Sequence, residues 1–257
     1  MFMKAVRILK YFVIIFLTIP LLSIQQQQYI SAKDIVKKAD EIMRGKTSQA
    51  DVTIKIIRPT WSREMNMETW TKGDDYSMIL INSPAKEKGT VFLKRIKEVW
   101  NWLPSIERTI KLPPSMMSQS WMGTDFTNDD LVKEASSVVD YTHKLLGKEI
   151  IMGKDCYEIE MIPKPTAAIV WEKVIVWIDT LDFLQLKAEF YDEDGELVNV
   201  MNSGDIKQMG GRKITSKIEM IPMDKEGHST VIIYNNIVFD EEINDNFFTT
   251  RNMKQLK

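Results

Sequence analysis

The stretch CYEIEMI at residues 156–162 decides the fold class, because its apolar and acidic side chains alternate. Successive side chains of a β-strand point to opposite faces, so this spacing predicts a strand with one apolar face, formed by Tyr157, Ile159 and Met161. The segment WEKVIVWID at residues 171–179 is a second strand of this kind, with several β-branched residues on one side. Such apolar faces have to be covered, and the sequence offers few helices to cover them.

Short period-two segments of this type recur from residue 51 onwards, bounded by Pro, Gly and Asn. The connections DEDGE, QMGG and DKEG contain the Asp-Gly and Gly-Gly pairs that tight hairpins favour. The series predicts a mainly β protein with a single curved antiparallel sheet of about 11 strands, because a flat open sheet of that size would curl. No Gly-rich or Ser-rich linker divides the segments, so residues 32–257 are predicted to form one domain.

The segment SAKDIVKKADEIMRGK at residues 31–46 predicts an amphipathic helix from Ala32 to Arg44. Ser31 offers an N-cap with Asp34 three residues later, and Gly45 stands where a C-cap is expected. Apolar residues recur at helical spacing, at Ile35, Ala39 and Ile42.

Two further short helices are predicted, one in NDDLVKEASS from Asn128 and one near DEEINDNF at residues 240–247. The acidic cluster before the first of them has two interpretations. Thr127 and Asp130 fit the Ser/Thr-x-x-Asp/Glu capping box, which places acids at the positive end of the helix. The alternative is a calcium site, but the spacing does not match an EF-hand loop, so capping is favoured. The oxygen ligands of that alternative would be Asp125, Asn128, Asp129 and Asp130.

Residues 1–31 are predicted to be a signal peptide and a polar QQQQ spacer, because a basic start precedes an apolar run that is interrupted by Pro20. The run is shorter than the roughly 18 to 20 residues that span a bilayer. We therefore expect the protein to be exported, with an uncleaved membrane anchor as the alternative.

Composition and motifs argue against several classes of function. Lys plus Arg is 34 and Asp plus Glu is 36, which gives no global reason to bind nucleic acid. Cys156 is the single cysteine, so no intrachain disulfide can form, and it lacks the sequence context of a catalytic thiol. His143 and His228 are isolated, and the motifs of serine hydrolases and zinc proteases are absent. We expect no enzymatic activity, no cofactor and no metal site.

The loop PPSMMSQSWMG at residues 113–123 is unusually rich in Met and Trp. An exposed loop of this composition would lower solubility, so it should pack against something. Met is adaptable enough to line a site for flexible apolar ligands, but these residues could equally cap the end of the sheet core.

The segment WNWLPSIERTIKLPPSMMSQSWMGTDFTNDDL at residues 100–131 resembles the signature region of the LolA-like, outer-membrane lipoprotein-sorting family. The matching pattern is an aromatic-x-aromatic strand running into Leu-Pro, then a basic residue, then the block that ends the loop. The segments ADEIMRG, GKDCYEIEMIPK and KVIVWIDTLDFLQLKAEFYDEDGELV are similar to the same family. The matching residues of the signature are Trp100, Trp102, Leu103, Pro104, Arg108 and Met122 to Leu131.

The resemblance implies an antiparallel half-barrel with a few short helices as a lid over an apolar concave face. It also implies a periplasmic carrier or chaperone that binds the acyl chains of lipoproteins or other lipids for transfer to the outer membrane, without enzymatic activity or cofactor. Candidate partners are an inner-membrane transporter and an outer-membrane acceptor, and a monomer is expected. The alternative function is a lipid-sensing regulatory or adaptor module of the cell envelope.

On this interpretation, the lid consists of the helix from Ala32 to Arg44 and the loop from Pro113 to Asp125. Ligand contact in the cavity or lid is predicted for Ile35, Ile42, Trp100, Trp102, Met116, Met117, Trp121, Met122 and Phe126.

Overall fold

The computed structural model describes residues 30–133, 136–167 and 169–256. The predicted signal peptide and spacer, residues 1–31, lie outside the described residues except for their last two positions. No helix within the described ranges has the length and apolar character needed to cross a membrane.

The fold is one open antiparallel sheet of 13 strands. Consecutive strands pair with each other, except β6 and β7. The first strand, β1, also pairs with the last, β13, so β6 and β7 are the two edges of the sheet. The predicted fold class is confirmed. The sheet has more strands than the expected number of about eleven, because each short segment with a period of two forms a strand of its own. The strands are β1 (Thr47–Arg58), β2 (Trp61–Lys72), β3 (Tyr76–Ser83), β4 (Val91–Arg95), β5 (Glu98–Leu103), β6 (Arg108–Lys111), β7 (Tyr141–Ile151), β8 (Lys154–Pro163), β9 (Lys173–Asp179), β10 (Gln185–Tyr191), β11 (Leu197–Met209), β12 (Arg212–Pro222) and β13 (Ser229–Phe239).

The connection between β11 and β12 shows why the sheet needs glycine at its tight turns. Gly210 and Gly211 have φ angles of 55° and 80°, the left-handed conformation of a two-residue hairpin turn. A Cβ atom on Gly210 would lie 2.6 Å from the Phe239 ring and 2.8 Å from the Ile237 carbonyl oxygen. The QMGG turn therefore depends on glycine for conformation at both positions and for space at the first.

The helix α1 (Ala32–Arg44) has the predicted bounds and caps. The Ser31 hydroxyl accepts a hydrogen bond from the Asp34 backbone N–H at 3.1 Å, and the Gly45 N–H donates to the Glu41 carbonyl oxygen at 3.0 Å. These bonds satisfy backbone groups that a helix end leaves unpaired. Both caps were readable from the sequence because they depend only on near neighbours.

The other two predicted helices are shorter than expected. The segment from Asn128 forms a π-helical turn, Asp129–Lys133, and residues 134–135 lie outside the described part of the chain. The segment near residues 240–247 forms a 3-10 turn, Asp245–Phe247. Further 3-10 turns occur at Pro104–Ile106, Pro114–Met116 and Asn252–Lys254.

Two segments cover the concave face of the sheet. α1 buries Ile35, Val36 and Ala39 against strands β7 to β10. The connection from β6 to β7 packs over β1 to β5 and β13, where it buries Met117 and Trp121 in the largest core cluster. Burial of these side chains, about 1.5–3 kcal/mol each, is the main force that holds the two covers in place.

The convex face of β2 to β5 is covered by the C-terminal segment 240–256. Phe248 and Met253 are fully buried there against Trp70 and Leu93. The sheet is thus a layer between two sets of covering segments. A cavity lies on the concave side, and a second pocket, lined by Leu93, Trp100 and Thr249 among others, lies beside the C-terminal segment.

Candidate functional site

A cavity of about 390 Å³ lies between the concave face and the two segments that cover it. Its size falls in the range of small-molecule sites, roughly 300–1,000 Å³. α1 contributes Met43 to its wall, and the connection from β6 to β7 contributes Phe126 and Leu131. The site therefore sits at the junction of the sheet, the helix and the loop.

Most of the cavity wall is apolar. Strands from both halves of the sheet contribute, so the cavity crosses the sheet rather than following one hairpin. Val174 and Val176 of β9 belong to this wall, whereas Trp177 of the same strand packs on the other face with Cys156. Other apolar wall residues are Ala50, Val52, Met67, Ile79, Met161, Trp171, Ala188, Phe190, Met201, Met220, Ile232 and Ile237.

The acidic residues after the loop form a helix cap. The Thr127 backbone N–H and hydroxyl both donate to Asp130 Oδ2 at 2.8 Å, and the Asp130 N–H donates back to Thr127 Oγ1 at 3.1 Å. Asp130 Oδ1 accepts a further hydrogen bond from Trp171 Nε1 at 2.9 Å. This reciprocal arrangement confirms the predicted capping box.

Asp130 and Tyr141 lie at the cavity wall in a poorly solvated environment. Burial raises the pKa of Asp130, although hydrogen bonds from Trp171 and Thr127 favour the charged form. Burial also raises the pKa of Tyr141, and the nearby carboxylates of Asp129 and Asp130 act in the same direction. The tyrosine therefore keeps its proton throughout the physiological range.

Asp125 has a separate structural role. Its Oδ2 accepts hydrogen bonds from Arg58 Nη1 at 3.0 Å and from the Thr230 hydroxyl at 2.6 Å, and its side chain is only 5% exposed. Within the described ranges, no group of three or more side chains is arranged to hold a metal ion. Asp125 therefore joins the loop to Arg58 at the end of β1 and to Thr230 at the start of β13, and we call this set of contacts the clasp.

Two arginines extend this clasp. Arg58 Nη2 donates to the Gly123 carbonyl oxygen at 2.9 Å, and Arg63 Nη2 donates to the Met122 carbonyl oxygen at 2.6 Å. Charged donors make stronger hydrogen bonds than neutral ones. The Met-rich loop is therefore fastened at its C-terminal end, next to Asp125.

The Met-rich loop is a core element as well as a cover. Met117 and Trp121 are buried in the main cluster, and Trp121 stacks at 5.5 Å from Phe92. Met116 and Met122 are partly buried against the same cluster. Of the residues predicted in and after this loop, only Phe126 lines the cavity.

The remaining predicted contact residues lie in different places. Ile35 lies on the face of α1 that is buried against the sheet. Ile42, near the C-terminal end of α1, is partly buried against the main core cluster. Trp100 and Trp102 lie on the convex face, in contact with the C-terminal cluster, and do not line the cavity. The structure thus does not bring the nine residues together, and their contact with a ligand stays a prediction.

Several cavity residues were not selected from the sequence. Trp171 and Phe190 form an aromatic pair at 5.2 Å in the wall, and Tyr234 of β13 also lines the cavity. The alternation of β9 did group Val174 with Val176, but it did not say which side of the strand faces inward. Trp171 precedes the strand and does not follow its phase.

A family model with the description "Uncharacterized protein" matches residues 73–255, which is more than half of the chain. In structure, the chain resembles a LolA superfamily protein from Nitrosomonas europaea, with 27% identity, a TM-score of 0.76, and coverage of 87% of this chain and 99% of that one. The chain belongs to the family that this model describes, and its fold is LolA-like.

Two further solved structures share the LolA-like fold. A DUF1329 family protein from Desulfovibrio piger has 24% identity and a TM-score of 0.79, over 86% of this chain and 97% of that one. A proposed outer membrane lipoprotein-sorting protein domain from Vibrio parahaemolyticus has 23% identity and a TM-score of 0.75, over 87% and 100%. None of the curated proteins matches the sequence.

Proposed function

We propose that this LolA-like protein is a periplasmic carrier that holds the acyl chains of lipoproteins or other lipids in the cavity and passes them to the outer membrane. The observation that carries the proposal is the apolar cavity of about 390 Å³ between the concave face and its covers. The likeness to a LolA superfamily protein at 27% identity supports the same class of ligand.

The affinity of such a site comes from shielding the chain from water. Each methylene removed from water contributes about 0.8 kcal/mol, so one ordinary acyl chain gains roughly 10 kcal/mol before entropic costs. Release then requires the cavity to open. A cover that packs through a few side chains can be displaced more easily than a strand of the sheet.

The two covers differ in how they are held. The loop is fastened by Arg58, Arg63 and Asp125, as described above. α1 is fixed at its C-terminal end, where Arg212 Nη1 donates to the Glu41 and Ile42 carbonyl oxygens at 2.9 Å and 3.3 Å. We therefore assign the opening movement to α1, with the loop as the fixed side of the cavity.

Export and domain organisation belong to the same proposal. Residues 1–31 direct the chain to the periplasm, and residues 32–257 form the carrier domain, which acts as a monomer. An inner-membrane transporter would load the cavity and an outer-membrane acceptor would empty it. Neither step needs enzymatic chemistry, since the ligand is transferred unchanged.

Native mass spectrometry of protein purified without detergent from its own envelope tests the proposal. A co-purifying acylated species, displaced by added lipid, is the expected result. A protein that is repeatedly empty and takes up no labelled lipid would rule out the carrier function.

A cavity-filling variant locates the bound species. Ala188 is 1% exposed and lines the cavity, so Ala188→Leu should reduce the occupancy by acyl ligands. Ala85→Leu, at an exposed position, is the matched control and should bind as the native protein does. Unchanged occupancy in a folded Ala188→Leu variant would show that the ligand lies elsewhere.

A further inference from the structure

One end of the cavity is lined by hydroxyl groups. Ser48 of β1, Thr71 of β2 and Ser77 of β3 follow one another across the sheet, because Ser48 is paired with Thr71 and Thr71 with Ser77. Thr69 stands on the same face of β2, two residues before Thr71, and all four line the cavity. We call these four residues the hydroxyl row.

Half of the hydroxyl row has no partner within the described part of the chain. Ser48 Oγ and Thr71 Oγ1 are hydrogen-bonded to each other at 2.7 Å. The hydroxyls of Thr69 and Ser77 make no hydrogen bond to another described residue, although Ser77 is only 3% exposed. Both residues line the cavity, so their hydroxyls are positioned to form hydrogen bonds to whatever fills it.

The charged groups at this end of the cavity form ion pairs with one another. Arg44 lies 3.3 Å from Asp40 and 3.4 Å from Asp74. Arg44 and Asp40 border the cavity beside the hydroxyl row. An anionic group would have to compete with two carboxylates for the guanidinium, so the row is suited to a neutral hydrogen-bonding group.

Beyond the hydroxyl row, most of the cavity wall is apolar. Trp171 lies before β9 and beside Met161 near the end of β8, on the opposite half of the sheet from β1 to β3. The strand pairings place the two groups at opposite ends of the strands. Ser48 pairs with Phe239 at the C-terminal end of β13. Thr230, at the N-terminal end of β13, pairs with Ile56 and Met220, and Trp171 lies toward that end. Asp130 and Tyr141 also line the Trp171 end, where Asp130 accepts hydrogen bonds from Trp171 and Thr127, so the apolar part of the wall lies between the hydroxyl row and Trp171.

We propose that the hydroxyl row binds the neutral ester, amide or hydroxyl group that joins an acyl chain to its head group, with the chain extending toward Trp171. This assignment rests on the proposed carrier function and adds to it the chemical class and the orientation of the ligand. Thr69 and Ser77 determine the specificity, because their hydroxyls are the ones free to bond.

The double variant Thr69→Val/Ser77→Ala tests the proposal without breaking a native hydrogen bond. Ser62→Ala/Thr250→Val, at exposed positions, is the matched control. The probes are a monoacylglycerol with bromine at the end of its chain and a bromoalkane of the same chain length. Quenching of tryptophan fluorescence reports binding, and the Trp171→Phe variant shows how much of it arises from Trp171.

The expected result is that the double variant weakens monoacylglycerol binding at least about fivefold, which corresponds to one lost hydrogen bond. Bromoalkane binding should be unchanged or tighter, and the tail bromine should quench Trp171 strongly. A double variant that binds both probes as the native protein does would overturn the head-group site but leave the carrier function intact. Failure of the native protein to bind either probe would count against both proposals, and tighter binding of a fatty acid anion than of the monoacylglycerol would overturn the preference for a neutral group.

Discussion

The ion pair between Arg58 and Asp125 gives the sharpest test of how the loop is held over the cavity. The Arg58 and Asp125 side chains are 10% and 5% exposed, and among the described residues Thr230 is the one further side-chain partner of Asp125. Replacing Arg58 by Met would leave the Asp125 carboxylate buried with one hydrogen bond. Breaking one side of a buried pair typically costs about 3–5 kcal/mol.

The reciprocal change should cost less. In Asp125→Asn, Arg58 keeps the carbonyl oxygens of Gly123 and Ser229 as acceptors, at 2.9 Å and 3.2 Å. The lost charge-assisted hydrogen bonds correspond to about 1.5–3 kcal/mol. In the double variant Arg58→Met/Asp125→Asn, the loss in free energy of unfolding should be smaller than the sum of the two single losses, because no charged partner is left unpaired.

Chemical denaturation of these variants measures the free energies of unfolding, and a thermal melt should fall by roughly 10 °C for Arg58→Met in a chain of this size. Lys55→Met is the control, because Lys55 pairs with Glu64 at 3.2 Å on the surface, with side chains 47% and 50% exposed. That exposed pair should contribute less than about 1 kcal/mol. A cost for Arg58→Met no larger than for Lys55→Met would refute the idea that the clasp fixes the loop.

Three other outcomes follow from the structure. Gly210→Ala should lower the free energy of unfolding by about 2–4 kcal/mol because its Cβ atom would collide with Phe239, whereas Gly211→Ala, with open space around it, should cost only the backbone strain of about 1–2 kcal/mol. Equal losses in urea denaturation would show that space at Gly210 is unimportant. Burial raises the pKa of Asp130 above its unfolded value of 3.8, so its contribution to stability is greatest below that pH and is lost as the pH rises through the folded value. The pH dependence of unfolding in Asp130→Asn should lack this decline, and identical curves would contradict the assignment. Phe248→Ala should cost about 3–5 kcal/mol, since this fully buried ring anchors the C-terminal segment to the convex face; a loss below 1 kcal/mol, measured by calorimetry, would be inconsistent with that role.

The sequence alone determined the features that depend on near neighbours. α1 could be placed from Ala32 to Arg44 because Ser31, Asp34 and Gly45 act within a turn of the helix they end. The capping box of Thr127 and Asp130 is equally local. The segments with a period of two predicted all the strands, and the Gly-Gly pair predicted the turn between β11 and β12. Both signals are local, because the alternation of side chains and the preference of glycine for positive φ do not depend on distant residues.

Only the tertiary structure decided which side of each strand faces the cavity. A period of two is symmetric, so the alternation of β5 cannot say whether Trp100 and Trp102 or Val99 point inward. The tryptophans lie on the convex face because the C-terminal segment, far away in sequence, supplies their apolar partners there. Likewise, the cavity arises where α1 and the loop leave the concave face partly uncovered, and the direction of curvature comes from pairings such as that of β1 with β13. Long-range packing thus determines where the cavity lies, whereas the local sequence determines the strands, the helix and the turns that surround it.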